Sequence, residues 1–333
     1  MSHKTLMHIL VTDHCHPVLT QKLVAAGFNV TERTDYTYDT LKKAAHDYDA
    51  LVVRSKIKID QPFLAANLHL RCIGRLGAGM DAIDINYAEH HGIRCLNSPE
   101  GNRDAVGEHA VGLLLALFDK ICIANNEVRQ GLWHREENRG LEIKGKTIGL
   151  IGYGNMGQAF AKRLSGFDCR VIYYDKYHPT PAEDNALDLL GYHSHSLEAE
   201  NVTLAQLLQQ ADVISFHVPL TDETHHYLND AFVEACAKPF FLVNTCRGAV
   251  VQTDALVKGL ERRKILGAAL DVIEYEDMTK DGLHPDTLPP PLRYLLDSPH
   301  TVLTPHVAGW TQESRYKLAS CLADKIIAQL QTT

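Results

Sequence analysis

The run Gly149-Leu150-Ile151-Gly152-Tyr153-Gly154-Asn155-Met156-Gly157 has the types and spacing to hold a phosphate ester. A strand pattern, Thr147–Ile151, precedes it and a helical pattern, Gln158–Leu164, follows. In that setting Gly152 permits a tight turn, Gly154 lets a pyrophosphate approach the backbone, and Gly157 lets helix and strand pack closely. The start of the helix adds unpaired N–H groups and the positive end of its dipole. The next strand pattern, Val171–Tyr174, runs into Asp175. An acid roughly 20 residues beyond the glycines hydrogen-bonds a ribose 2′-hydroxyl and repels a 2′-phosphate. NAD is therefore expected over NADP, although Lys176, beside the acid, works against that preference.

Ligands of open α/β sheets bind beyond the carboxyl ends of the strands. Phe216-His217-Val218-Pro219, Asn244-Thr245-Cys246-Arg247-Gly248, Ala269-Leu270-Asp271-Val272 and Thr304-Pro305-His306-Val307-Ala308-Gly309 each close a strand pattern. Successive strand ends thus carry a His, an Arg, an Asp and a His on the edge where the dinucleotide is expected.

The elements that must position these groups are short apolar runs. They are Met7–Thr12, Ala50–Arg54, Leu70–Arg75, Thr147–Ile151, Val171–Tyr174, Val213–Val218, Phe240–Thr245, Leu266–Val272 and Thr301–Leu303. Most do not alternate, as expected of parallel strands buried on both faces. Helix-period segments at Ala105–Glu127, Met156–Leu164, Leu204–Gln210 and Asp254–Glu261 lie between them. Alternating strands and helices indicate α/β architecture with doubly wound parallel sheets. Ser98-Pro99 ends one strand pattern and Ser298-Pro299 precedes the last. Proline stiffens a crossing point. The expected organisation is discontinuous, with 1–98 plus 299–333 as one domain and 99–298 as a dinucleotide-binding domain. The proline-rich stretch His284–Arg293 reads as a loop.

Composition narrows the function. With 33 Lys and Arg against 41 Asp and Glu, the formal charge is -8, and no basic patch stands out. Nucleic acid and anionic membrane are not expected as partners. The start of the chain does not read as a signal peptide, and the apolar run Ala110–Phe118 is too short to span a bilayer. Eight cysteines without a CxxC pair fit a reduced, cytoplasmic protein. His14/Cys15/His16, His90/His91 and His225/His226 are adjacent residues, which seldom chelate together, so no metal is expected.

Taken in order, Arg75-Leu76-Gly77-Ala78-Gly79-Met80-Asp81, Asn97-Ser98-Pro99, Asn102, Glu108, GYGNMG, HVPL, NTCRG, GAALDV and TPHVAG resemble the D-isomer-specific 2-hydroxyacid dehydrogenases from about Ala50 to Ser314. The resemblance implies a flavodoxin-like substrate domain and a Rossmann NAD-binding domain with an interdomain cleft, and a homodimer joined through the NAD-binding domain. It implies hydride transfer between nicotinamide and C2 of a D-2-hydroxy acid or 2-oxo acid. Arg247 matches the substrate-carboxylate arginine, Glu276 the acid partner and His306 the catalytic acid/base. A guanidinium can clamp a carboxylate and polarise the adjacent carbonyl, and His can move the hydroxyl proton near neutral pH. Ala78 and Gly79 would offer backbone N–H groups to the carboxylate. Gly152, Gly154, Asn155, Met156, Gly157, Asp175, His217, Pro219, Thr224, Cys246, Asp271, His306 and Gly309 would line the cofactor, with Asp271 and the Cys246 carbonyl on the nicotinamide amide. Asn102 joins the substrate-binding set. Asp277 stands where proline is usual, Glu274 is a rival to Glu276, Cys246 replaces Ala or Ser, and the segment after Glu276 is longer than usual. Trp310 is a candidate wall of the site.

Within that family the short form of 3-phosphoglycerate dehydrogenase is the nearest in look, which would place the chain in serine biosynthesis. Val53-Arg54-Ser55, Ile73-Gly74-Arg75 and Trp133-His134-Arg135 carry the likeness. Arg54, Arg75 and Arg135 are expected to meet a substrate phosphate. No C-terminal regulatory domain is expected after the last helix. Reduction of glyoxylate, hydroxypyruvate or another 2-oxo acid is the alternative, and an NAD(H)-sensing, corepressor-like binding protein is the alternative of another class.

Overall fold

A computed structural model describes residues 6–177, 199–276 and 288–331, and each of the nine strand-length apolar runs from Met7–Thr12 to Thr301–Leu303 holds a strand. β1 (His8–Val11), β2 (Asn29–Glu32), β3 (Ala50–Val53), β4 (Cys72–Arg75) and β5 (Arg94–Asn97) form a parallel sheet in the order β2-β1-β3-β4-β5. That is the flavodoxin-like order. β6 (Thr147–Ile151), β7 (Arg170–Tyr174), β8 (Glu200–Asn201), β9 (Val213–Phe216), β10 (Phe240–Asn244), β11 (Ile265–Leu270) and β12 (Thr301–Leu303) form a second, seven-stranded parallel sheet, β12-β11-β10-β9-β6-β7-β8. Counted from its own first strand, this is the Rossmann order with one strand added at the far edge.

The strands without an apolar signature, β2, β5 and β8, are all sheet edges. An edge strand is half solvated and carries polar residues, so it leaves no hydrophobic run to read. The helix expected over Ala105–Glu127 is two helices, α1 (Arg103–Phe118) and α2 (Ile121–Arg129). The chain breaks between them where Lys120 takes a left-handed φ of 53°. No residue of α2 is buried. The expected loop His284–Arg293 is corrected in its described part. Pro290 opens a helix, Pro290–Asp297, because proline in a first turn loses no hydrogen bond the helix would have made. Residues 284–287 and Asp277 lie outside the described residues.

Contacts divide the described residues into two compact units, 6–103 with 310–331 and 104–276 with 288–309. Thr301–Leu303 pairs with Ala268–Leu270, so the chain returns to the first unit at Trp310, later than Ser298-Pro299. No described helix is long and apolar enough to cross a membrane, and no group of His, Cys, Asp and Glu among the described residues could hold a metal ion.

In the first unit the C-terminal helix, Gln312–Gln331, lays Ala319, Leu322, Ala323, Ile326 and Leu330 against Ile9, Val11, Leu19, Leu23 and Val52. Gly101 is the tightest point of that packing. A Cβ there would stand 2.5 Å from the Leu318 nitrogen and 2.6 Å from its Cα. Both are backbone atoms and cannot rotate away. Gly101→Ala should therefore cost about 1–3 kcal/mol of overpacking strain and lower the melting temperature of the chain. An unchanged thermal transition would show that the helix can shift to make room.

Candidate active site

The glycine turn is built as its spacing implies. Gly152 has φ 93°, and a Cβ on it would lie 2.6 Å from the His217 carbonyl oxygen. A Cβ on Gly157 would collide with the Gly152 carbonyl. Gly154 is different: a Cβ there would meet nothing within 4 Å. It precedes helix Asn155–Arg163, which has no side-chain cap. The first intrahelical bond runs from Gln158 N–H to the Gly154 carbonyl at 3.0 Å. The N–H groups of Asn155, Met156 and Gly157 are left for an anion in the space beside Gly154.

Asp175 ends β7 with a fixed carboxylate. It accepts from the Tyr153 N–H at 2.7 Å and the Tyr177 N–H at 2.8 Å, one on each oxygen. Lys176 does not oppose it. Its ammonium pairs with Glu223 at 2.6 Å. The open glycine cradle and the fixed acid fit a dinucleotide.

The remaining strand-end residues serve different purposes. The ring of His217 packs at 5.5 Å from Phe160, with Nε2 2.8 Å from the Ser215 hydroxyl. Burial pushes its pKa down to about 3, so it is a neutral prop beneath the glycine turn. Its Nδ1 is buried without a hydrogen-bond partner among the described residues. Pro219 and Thr224 close a turn through the Thr224 hydroxyl, which donates to the Pro219 carbonyl at 2.6 Å. Burial pushes the Cys246 thiol up to about 11; it donates to Asn244 Oδ1 at 3.1 Å and is no nucleophile at neutral pH. The Cys246 carbonyl already accepts from Arg247 Nη1 at 2.6 Å.

Asp271 is buried, with 1% of its surface exposed. Its carboxylate accepts from Val307 N–H at 2.9 Å, Ala308 N–H at 2.8 Å and the Thr304 hydroxyl at 2.6 Å. Thr304 spends its one hydroxyl proton there, so His109 Nε2, 3.0 Å away, must donate to it. Burial alone would raise the Asp271 pKa. Hydrogen bonds from His109, Thr304, Ala308 and Val307 hold it below the usual carboxylate range instead. Asp271 thus anchors the loop that carries His306, and much of its accepting capacity is spent on that loop.

His306 itself has a left-handed φ of 53°. Its N–H bonds the Asp271 carbonyl at 2.7 Å and the Thr304 carbonyl at 3.0 Å. A non-glycine residue held there is strained, and such strain gathers at functional sites. The ring directs Nδ1 at both oxygens of Glu276, at 3.1 and 3.0 Å. Among the described residues Nε2 has no hydrogen-bond partner. Glu274 is engaged elsewhere, at 2.6 Å from His226 Nε2, so the carboxylate facing His306 is that of Glu276.

In the first unit Arg54 donates its N–H to Asp13 at 2.9 Å and lays its guanidinium over the Trp310 ring at 5.0 Å. The Arg75 guanidinium lies against Gly77, where φ is 148° and a Cβ would strike it. Ala78 accepts from Asn97 through its carbonyl at 2.7 Å, Gly79 follows it, and Asn102 Oδ1 is buried without a partner among the described residues. Arg135 belongs to the second unit, on an exposed stretch. Gly309 closes the His306 loop. The structure adds His109, Thr304, His226 and Thr253 to the groups around the site. Their residue types were visible, but their partners are distant in sequence.

Residues 111–308 match the NAD binding domain of the D-isomer specific 2-hydroxyacid dehydrogenases. The chain is 38% identical to a glyoxylate reductase of Thermofilum pendens over 297 residues, covering 88% of this chain and 81% of that one. It is 33% identical to a D-3-phosphoglycerate dehydrogenase of Archaeoglobus fulgidus over 321 residues, 96% of this chain but 57% of the relative. A crystal structure of an NADPH-dependent glyoxylate/hydroxypyruvate reductase from Sinorhizobium meliloti, in complex with NADP and malonate, superposes with a TM-score of 0.78 at 27% identity. That match covers 98% of this chain and 95% of the other.

The Asp271 anchor can be tested by Asp271→Asn, which turns one acceptor into a donor facing a backbone N–H. The change should cost about 1–3 kcal/mol at pH 7. Because the folded-state pKa is depressed, the stabilisation is present above the unfolded value of about 3.9 and is lost as pH falls through the folded value. The melting difference between wild type and variant should therefore be largest at neutral pH and narrow on acidification. Equal melting at pH 7 would refute the anchor.

Proposed function

Because the chain belongs to the D-isomer specific 2-hydroxyacid dehydrogenases, an NAD-dependent family, we propose that it interconverts a small 2-oxo acid and its D-2-hydroxy acid, with His306, Glu276 and Arg247 at the reacting centre. The observation that carries this reading is His306, its Nδ1 fixed on both Glu276 oxygens and its Nε2 left for a substrate. NAD would lie along Gly152, Gly154, Gly157 and Asp175, and when bound it supplies or takes up the hydride. In reduction, His306 Nε2–H gives its proton to the C2 oxygen; in oxidation Nε2 removes the hydroxyl proton. Glu276 keeps the other ring nitrogen protonated and fixes the tautomer. Arg247 binds the carboxylate and draws charge from the C2 carbonyl.

Glyoxylate and hydroxypyruvate are the leading substrates. Relatives bearing those names are 38% and 35% identical and are covered over 81% and 88% of their length. Arg54 is stacked on Trp310 and Arg135 lies on an exposed stretch, which weakens the case for a three-arginine phosphate site. Phosphohydroxypyruvate is the second reading, favoured by the phosphoglycerate dehydrogenase match over 96% of the chain. Asp175, with Lys176 tied to Glu223, supports NADH over NADPH. A homodimer through the second unit is part of the proposal, supported by α2, which buries no residue, and by exposed Ile121, Val128 and Trp133. The cysteines are free thiols, which supports a reducing, cytoplasmic setting.

Two measurements test this reading. In a panel of glyoxylate, hydroxypyruvate, phosphohydroxypyruvate, pyruvate and 2-oxoglutarate, kcat/KM with NADH should be highest for one of the first two and should drop with NADPH. Dominance of phosphohydroxypyruvate would move the assignment to the second reading, and absence of turnover alongside tight NADH binding would favour a sensor. His306→Ala should lower kcat by roughly 10²–10⁴-fold and leave the NADH dissociation constant nearly unchanged. A variant that retains wild-type kcat would remove His306 from the chemistry.

A further inference from the structure

Glu276 owes its place to a turn, closed by its own N–H on the Ile273 carbonyl at 3.2 Å. Gly248 lies directly beneath that turn, so close that a Cβ would overlap the Ile273 carbonyl and come within 2.6 Å of the Glu274 nitrogen. The neighbour of Gly248 is Arg247. The backbone around Glu276 and the backbone around Arg247 therefore touch with nothing between them.

Contact alone does not fix a turn against rotation. Glu274 projects from the middle of this one, and both its oxygens are gripped. Oε1 is 2.6 Å from His226 Nε2, and Oε2 accepts from the Thr253 N–H at 2.8 Å. Thr253 begins a helix, Thr253–Glu261, whose N-cap residue Gln252 makes no side-chain cap. The Glu274 carboxylate takes the place of that cap and sits at the positive end of the helix dipole. Burial would raise its pKa, but the hydrogen bonds from Thr253 and His226 hold it low, so it stays charged. His226 is itself fixed. It has a left-handed φ of 51°, its N–H bonds the Ala249 carbonyl at 2.8 Å, and its own carbonyl accepts from Asn229 Nδ2 at 3.0 Å.

We propose that Glu274 and His226 are a positioning pair that sets Glu276, and through it the His306 ring, relative to Arg247. This deepens the reading above and rests on it for the reaction. The two side chains bond each other and the Thr253 N–H, the His226 backbone is held by Ala249 and Asn229, and the pair takes no part in proton or hydride transfer. A buttress of this kind matters because a displacement of about 1 Å at a reacting group can cost on the order of a hundred-fold in rate.

The test is a double-mutant cycle with a spectroscopic readout. Glu274→Ala should lower kcat by about ten- to a hundred-fold with little change in the NADH dissociation constant. In a Glu276→Gln background the same substitution should cost less than about three-fold, since the two residues act through one geometry. His226→Gln, which keeps a side-chain N–H donor, should recover part of the loss seen in His226→Ala. In parallel, Glu274→Ala should move the His306 ring nitrogen resonances as Glu276→Gln does. An equal-fold loss in both backgrounds with unchanged His306 resonances would overturn the proposal. If the resonances move but wild type turns over no 2-oxo acid, positioning stands and the reaction assigned above falls. Should Glu274→Ala not fold, Glu274→Gln and the His226 variants carry the same comparison.

Discussion

Asp271 closes its strand with the carboxylate turned into the protein, where two backbone N–H groups and the Thr304 hydroxyl converge on it. Each donor belongs to the segment that carries His306. A charge that is nearly inaccessible would be costly on its own; here the cost is offset by charge-assisted hydrogen bonds, and the loop cannot leave without exposing or orphaning it. The left-handed backbone of His306 is tolerable for the same reason, since its own N–H is bonded to the carbonyls of Asp271 and Thr304. The aim of the imidazole at Glu276 follows from that anchoring.

Close backbone approach supplies a second constraint, and glycine makes it possible at three places in the loops of the site. Gly152 sits against His217, Gly157 against Gly152, and Gly248 against Ile273. The first two shape the nucleotide turn and the third brings the Arg247 and Glu276 backbones together. Packing tolerances here are tenths of an ångström. Arg247 and Glu276 are 29 positions apart in sequence, yet their relative placement hangs on the absence of one methyl group.

These relations were unevenly legible. The glycine turn and Asp175 could be read because their spacing is local, set by one strand, one turn and one helix. Arg247, Asp271 and His306 were visible as polar residues ending apolar runs, although their side-chain directions were not. Asp271 shows the limit: the resemblance implies a role at a cofactor amide, while its bonds to the His306 loop had no sequence signal. Glu276 and Glu274 could not be told apart, since both are acids two residues apart and only the distances, 3.0 Å to His306 and 2.6 Å to His226, separate them. His109 was overlooked because its partner Thr304 is 195 residues away. Three of the four edge strands, β2, β5 and β8, were silent for a related reason: their side chains answer to water as much as to the core.

The ion pair between Lys176 and Glu223 bears on how readily this scaffold could change its diet of reducing equivalents. A cation already stands next to the acid proposed to disfavour a 2′-phosphate, and it is paired with a surface carboxylate. Exposed pairs of this kind contribute little to stability, on the order of 1 kcal/mol or less, so Glu223 is free to drift without endangering the fold. Its loss would unmask the ammonium while leaving Asp175 in place. If Asp175 sets the cofactor preference as proposed, that preference is shallowly encoded: a change at Glu223, outside the glycine turn, would relax it with Asp175 untouched.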